Sequence, residues 1–139
     1  MRFVACITLG LSLIMFGCGS RNEVRRVTSP DGRTDAIVIE TNCGAACDFG
    51  YEVRLGPKDA ADGEEVAYLY GATRSEYSSG VNLKWVDADR LSIEYLRAKR
   101  VTLKKHAVRV ASQNVQVSLQ DGLNDPKAPH GGMFRPYPP

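Results

Sequence analysis

Between Ala36 and Leu119 apolar residues return again and again at every second position. Tyr51, Val53 and Leu55 alternate with Glu52 and Arg54; Val66, Tyr68 and Tyr70 with Ala67 and Leu69; Val81, Leu83 and Trp85 with Asn82 and Lys84. Leu91, Ile93 and Tyr95 alternate with Ser92 and Glu94, Val101 and Leu103 flank Thr102, and Val115, Val117 and Leu119 alternate with Gln116 and Ser118. Period two, with β-branched and aromatic enrichment, predicts half-buried antiparallel strands. Ile37 and Ile39 lie opposite Ala36 and Val38, so that run is apolar on both faces and is expected at the centre of a sheet. Turn formers separate the runs: Ser29-Pro30-Asp31-Gly32, Gly56-Pro57, Asp62-Gly63, Ser78-Ser79-Gly80 and Asp87-Ala88-Asp89. No window carries a long capped helical stripe. The expected fold is all-β: about seven short strands in an antiparallel meander that closes as a small sandwich or barrel-like sheet.

The ends of the chain read differently. Arg2 is followed by the mostly apolar run Phe3 to Phe16, which is shorter than the about twenty residues of a membrane-spanning helix. A short apolar run behind a basic start reads as a secretory segment. Its end, Ile14-Met15-Phe16-Gly17-Cys18, resembles a bacterial lipoprotein signal, with Met15 and Phe16 standing where that pattern more often has Leu and a small or β-branched residue. The resemblance implies removal of residues 1–17, lipidation of Cys18 and attachment to the cell envelope, at the outer membrane where the cell has two. An ordinary secretory signal or an uncleaved anchor are the other readings. Several acyl chains at one residue hold a protein firmly, because each buried methylene contributes about 0.8 kcal/mol. The polar stretch 18–27, with Arg21, Glu23, Arg25 and Arg26, reads as a tether, and 28–120 as the folded domain. Residues 121–139 hold five of the seven prolines and few aliphatics, which predicts a disordered tail.

Composition narrows the function classes. Among 139 residues, 18 Lys and Arg face 16 Asp and Glu, a formal net charge of +2, so nucleic acid is not an expected partner. The charges are nevertheless segregated along the chain. Asp48 to Glu65 holds six acids against Arg54 and Lys58, whereas Arg97, Lys99, Arg100, Lys104, Lys105 and Arg109 form a basic stretch without an acid. That stretch reads either as a contact for an anionic surface, such as lipid headgroups, cell-wall polymer or an acidic envelope protein, or as a solvated hairpin whose cations protect a sheet edge.

Cys43 and Cys47 frame the sharpest local feature. Extended chain between them would span about 13 Å, whereas disulfide Cα atoms lie about 4.4–6.8 Å apart, so a bond requires a bend, which Gly44 favours. In an exported protein a structural disulfide is the first reading; free or intermolecular thiols, or a redox or metal role, are the others. His106 and His130 are the only histidines, and no Gly-x-Ser-x-Gly, His-Glu-x-x-His or phosphate-cradling glycine loop is present. The expectation is a non-catalytic binding or structural protein with no cofactor and no metal. The alternatives are a partner-regulating or inhibitor module, with Thr73–Gly80 as its contact, and, more remotely, an enzyme. Tyr51, Tyr68, Tyr70, Tyr77 and Tyr95 either line a ligand surface or cover the rim of the core with their hydroxyls in water.

Ser29-Pro30-Asp31-Gly32-Arg33, together with Lys84-Trp85-Val86-Asp87, is similar to one blade of TolB-type β-propeller repeats, but no second such motif occurs. With Asn42-Cys43-Gly44-Ala45-Ala46-Cys47-Asp48-Phe49, these pieces resemble a family of small uncharacterised bacterial exported proteins, over about residues 28–96. The resemblance implies export and a β fold and brings no activity.

Overall fold

Alternation of this kind needs a partner layer to cover its apolar face, and two sheets supply that cover for each other. A computed structural model describes residues 19–136; the signal segment, Cys18 and residues 137–139 lie outside the described residues. Nine strands follow one another: β1 Ser20–Thr28, β2 Thr34–Asn42, β3 Gly50–Pro57, β4 Glu64–Tyr70, β5 Asn82–Asp87, β6 Arg90–Glu94, β7 Arg100–Leu103, β8 Ala107–Val110 and β9 Gln113–Gln120. They form a five-stranded sheet in the order β1-β2-β3-β4-β7 and a four-stranded sheet in the order β5-β6-β9-β8. The fold is all-β, and the core joins the inner faces of both sheets. Ala36, Val38, Tyr51, Val53, Leu55 and Leu69 come from the first; Leu91, Ile93, Val108, Val115 and Val117 come from the second. Burying each of the larger aliphatic side chains contributes about 1.5–3 kcal/mol.

The connectivity corrects the simple meander. β1 to β4 do meander, but the chain then crosses to the second sheet for β5 and β6, returns for β7 and crosses again for β8 and β9. β6 and β9 therefore run parallel, Leu91 beside Val117 and Ile93 beside Leu119.

Two strands exceed the expected seven. The stretch read as a tether is β1, paired along its length with β2 from Ser20↔Asn42 to Thr28↔Asp35. Its alternation is masked by a bulge between Glu23 and Arg25, which leaves Val24 as an extra residue packed against the core. β8 is hidden because the β8–β9 hairpin turns through Ala111 at a positive φ of 53°, a position where Gly or Asn is the usual cue. A second bulge, opposite Val53 and Arg54, leaves Val66 as the extra residue of β4 and changes the reading of that strand. Ala67 and Leu69 face the core beside Val53 and Tyr51, while Tyr68 lies on the outer face beside Glu52.

β2 is interior, as its two apolar faces predict. Ile37 and Ile39 are buried on the outer face, flanked by Arg26 and Arg54 and by Glu23 and Glu52 respectively. The turn before β2 is closed by the Gly32 N–H donating to Ser29 O (2.9 Å) and the Ser29 hydroxyl donating to Asp31 (2.6 Å).

Candidate functional site

The register defines two ends of the sandwich. At one, called proximal here because the chain enters at Gly19, lie Arg21, Thr41, Gly50, Tyr70 and Arg100, which are consecutive partners across the first sheet, with the pair Ser20 and Asn42 one step beyond. Asn82, Glu94 and Gln120 close the same end of the second sheet. Four irregular segments cover this end: the Cys43–Cys47 turn, the loop from Gly71 to Val81, the connection from Tyr95 to Lys99 and the segment after Gln120.

Cys43 and Cys47 are joined as a disulfide with Cα atoms 5.7 Å apart. Gly44 supplies the required bend at φ 99°, and the Cys47 N–H donates to Gly44 O (3.2 Å). The Gly44 N–H donates to the Asn42 side chain (2.9 Å), and the Asp48 N–H donates to the Tyr70 hydroxyl (3.1 Å), so the turn is fixed at both sides. Among the described residues no group of three or more His, Cys, Asp or Glu side chains could hold a metal ion.

The loop Thr73–Gly80 bridges back on itself at Thr73↔Ser79, and Thr73 also bridges Arg97. The Arg74 N–H donates to Ser78 O (2.7 Å) and the Gly80 N–H to Ala72 O (2.9 Å). Burial lowers the basicity of the Arg74 guanidinium, opposed by the nearby Asp125 carboxylate. Tyr77 projects from the tip, 73% exposed, with its ring 5.3 Å from that of His130. Beneath the pair lies a hollow of about 220 Å³ lined in part by Ser75, Pro126 and Ala128.

The segment expected to be a disordered tail departs from that expectation over residues 121–136. Its apolar content is low, but its backbone and buried carboxylate partners hold it. The Asp125 N–H donates to Arg74 O (2.8 Å), the Ser78 hydroxyl to Ala128 O (2.8 Å), and the Gly131 N–H to Tyr77 O (2.9 Å). Farther along, the buried Glu40 carboxylate accepts from the Met133 N–H (2.6 Å), the Phe134 N–H (3.3 Å) and the Tyr51 hydroxyl (2.8 Å). Gly132 makes room for this clasp, since a Cβ there would lie 2.9 Å from a Glu40 oxygen. His130 is thereby held in register. Tyr51 is fully buried, so its hydroxyl is donated inside the protein and not to water; burial, with Glu40 beside it, pushes the phenol well above its ordinary range.

The basic stretch does not form one patch. Arg97, Lys99 and Arg100 lie at the proximal end, Lys104 and Lys105 follow β7 at the opposite end, and Arg109 is exposed on β8. Three of these six cations meet the acidic stretch, which β7 approaches by pairing with β4. Lys104 contacts Glu65 (2.7 Å), Lys105 contacts Glu64, and Lys99 contacts Asp48 (2.5 Å). Asp48 raises the Lys99 pKa. Arg97 contacts Glu76 (3.0 Å), and Arg100 lies over the Tyr70 ring at 5.3 Å. The complementarity of the two segments was visible in the sequence; their adjacency depends on strand order.

Two depressions adjoin at Asp48: one of about 340 Å³ beside Gly19, Arg21 and Tyr70, and one of about 370 Å³ beside Thr73, Arg97 and Lys99. Together they make a continuous surface from the point of chain entrance to the Tyr77 loop. Comparison with known proteins finds no matching family model, no matching curated protein and no matching solved structure.

Proposed function

We propose that this chain is a lipid-anchored protein of the cell envelope, acylated on Cys18, that acts by binding or structural support and not by chemistry. The observation that carries the reading is the basic start, short apolar run and Gly17-Cys18 pair, which stand directly ahead of a folded body beginning at Ser20. The disulfide fits an oxidising compartment outside the cytosol. The mature protein isolated from its own host is expected to carry the mass of acyl groups on a chain starting at Cys18, with Cys43 and Cys47 alkylated only after reduction. A Cys18→Ala variant should leave the membrane fraction. Its remaining there as the parent does, or a parent found unacylated in the medium, overturns the reading.

A partner-regulating module is the second reading, favoured by the exposure of Tyr77 on a loop pinned by the segment 121–131. Under it, a fragment beginning at Gly19 recovers one envelope protein in stoichiometric amount, and Tyr77→Ala abolishes the recovery.

A further inference from the structure

We propose that the proximal end of the sandwich lies on the bilayer, with Tyr77, Leu123 and Phe134 seated at the level of the lipid headgroups. The inference rests on the acylation of Cys18 and adds to it an orientation and a contact surface.

Chain length sets the first constraint. Only Gly19 separates Cys18 from the first residue of β1. Two Cα steps extend at most about 7 Å. Ser20 is locked into the sheet opposite Asn42, so the body cannot swing away on a spacer. An acyl group on Cys18 therefore draws the end that holds Ser20, Asn42 and Tyr70 to the membrane. The opposite end, with the Ser29–Gly32 turn and the β5–β6 turn, points away from it.

The distribution of exposed apolar side chains is the second, independent observation. Among the described residues four large hydrophobic side chains are conspicuously exposed: Tyr77 at 73%, Leu123 and Phe134 at 43%, and Val86 at 53%. The first three lie at the proximal end. Tyr77 tips the loop that bridges Arg97; Leu123 is placed by its N–H donating to Tyr95 O; Phe134 is held by Glu40. Val86 lies at the other end of β5, next to the β5–β6 turn. Aromatic side chains with one polar edge favour the membrane–water interface, where the ring leaves bulk water while the hydroxyl stays wet.

Charge is the third. Arg97, Lys99 and Arg100 stand on the same end, the first two in ion pairs that are themselves largely exposed and so free to exchange partners with lipid phosphates. The residues 121–136 have a use in this arrangement: clasped by Glu40 and Ser78, they present Leu123 and Phe134 on a rigid base, which limits the ordering entropy of contact.

The test uses the acylated full chain, purified from membranes and reconstituted into phosphatidylethanolamine–phosphatidylglycerol vesicles that include lipids brominated near the top of their acyl chains. Phe134→Trp and Tyr77→Trp are compared with Val86→Trp, with the native Trp85 as the internal reference. The emission added by Phe134→Trp or Tyr77→Trp is expected to shift to the blue and lose intensity to bromine, while that added by Val86→Trp stays unquenched. The Tyr77 ring pairs with His130 and makes no bond to Glu40, so its variant covers the case in which Phe134→Trp disturbs the Glu40 clasp. Equal quenching at the two ends, or none at either, in protein that carries acyl mass and floats with the vesicles overturns the orientation and leaves the anchor standing. Protein without acyl mass that does not float overturns both.

Discussion

The outer face of the five-stranded sheet buries Ile37 and Ile39 beneath charged side chains, whereas the outer face of β9 presents Asn114, Gln116, Ser118 and Gln120 to solvent. On the first, Arg54 reaches Glu52 (3.0 Å) and Asp62 (2.7 Å), Arg21 reaches Glu52 (2.7 Å), and Arg26 joins Glu23 (2.8 Å) to Asp35 (2.9 Å). The arginine stems cover the isoleucines while their guanidinium groups remain at the surface, so the face is a thin second core under an ionic roof. The β9 row covers nothing apolar of its own and has no such roof. Alternation on β9 is accordingly clean, while on β2 it is lost. A sheet face can thus be finished by solvation alone or by a charged network that lets an interior strand be apolar on both sides.

That contrast can be broken most sharply at Asp35. Its carboxylate is fully buried and accepts from the Thr28 hydroxyl (2.6 Å), the Asp59 N–H (2.9 Å) and Arg26. Asp35→Ala leaves a half-buried guanidinium and a backbone N–H without their acceptor, and should cost about 2–3 kcal/mol in urea unfolding once partial exposure of Arg26 is allowed for. A loss below about 0.5 kcal/mol, the usual surface range, would show that the roof is solvated like the β9 face.

Acid should act on the same network. Burial pushes the Asp35 carboxyl up, but its bonds from Thr28, Asp59 and Arg26 together hold it below the ordinary range; Arg21 does the same for Glu52 against burial. Depressed carboxyls contribute stability that is complete above their unfolded values, near about 4, and is lost as the pH falls through the lower folded values. Unfolding free energy is therefore expected to be level from about pH 7 to 5 and to fall below about pH 4. In Asp35→Asn the acid slope should be shallower.

A smaller effect is expected at Arg54. Arg54→Ala removes cover from Ile37 and one cation from among Glu52, Asp62 and Glu65, for about 1–2 kcal/mol. Arg54→Met, which keeps the apolar stem, should recover part of it in thermal melts. The smallest change belongs to the other face: Gln116→Ala should stay within about 0.5 kcal/mol of the parent, and a larger loss would mean that the amide row is more than a solvated surface.

Strand periodicity made most of the fold legible, and it failed where one residue disturbs the count. The extra Val24 hid β1, and the extra Val66 on β4 moved Tyr68 and Tyr70 off the core face that alternation from the buried Val66 predicts. The Cys43–Cys47 bend and the tight Ser29–Gly32 turn were readable because both depend on neighbours within a few residues. Residues 121–136 were not readable in this way. Their order rests on Glu40, Arg74 and Ser78, which are distant in sequence and acquire their positions only when the sheets close. The proximal surface was likewise half visible: the loop Thr73–Gly80 stood out, but Leu123 and Phe134 join it only through the folded-back tail.

The amino-acid order alone determined the β character, the interior place of β2 and the sites of the short turns, because these follow from alternation and from the backbone preferences of adjacent residues. Only the tertiary structure decided that β4 and β7 neighbour each other, that β6 and β9 run parallel, and that the last described residues clasp Glu40. Those outcomes depend on which apolar faces can be covered at once, and that is settled by the packing of two whole sheets. The same packing sets Glu64 and Glu65 against Lys104 and Lys105, so charge that is segregated along the chain is largely cancelled in space.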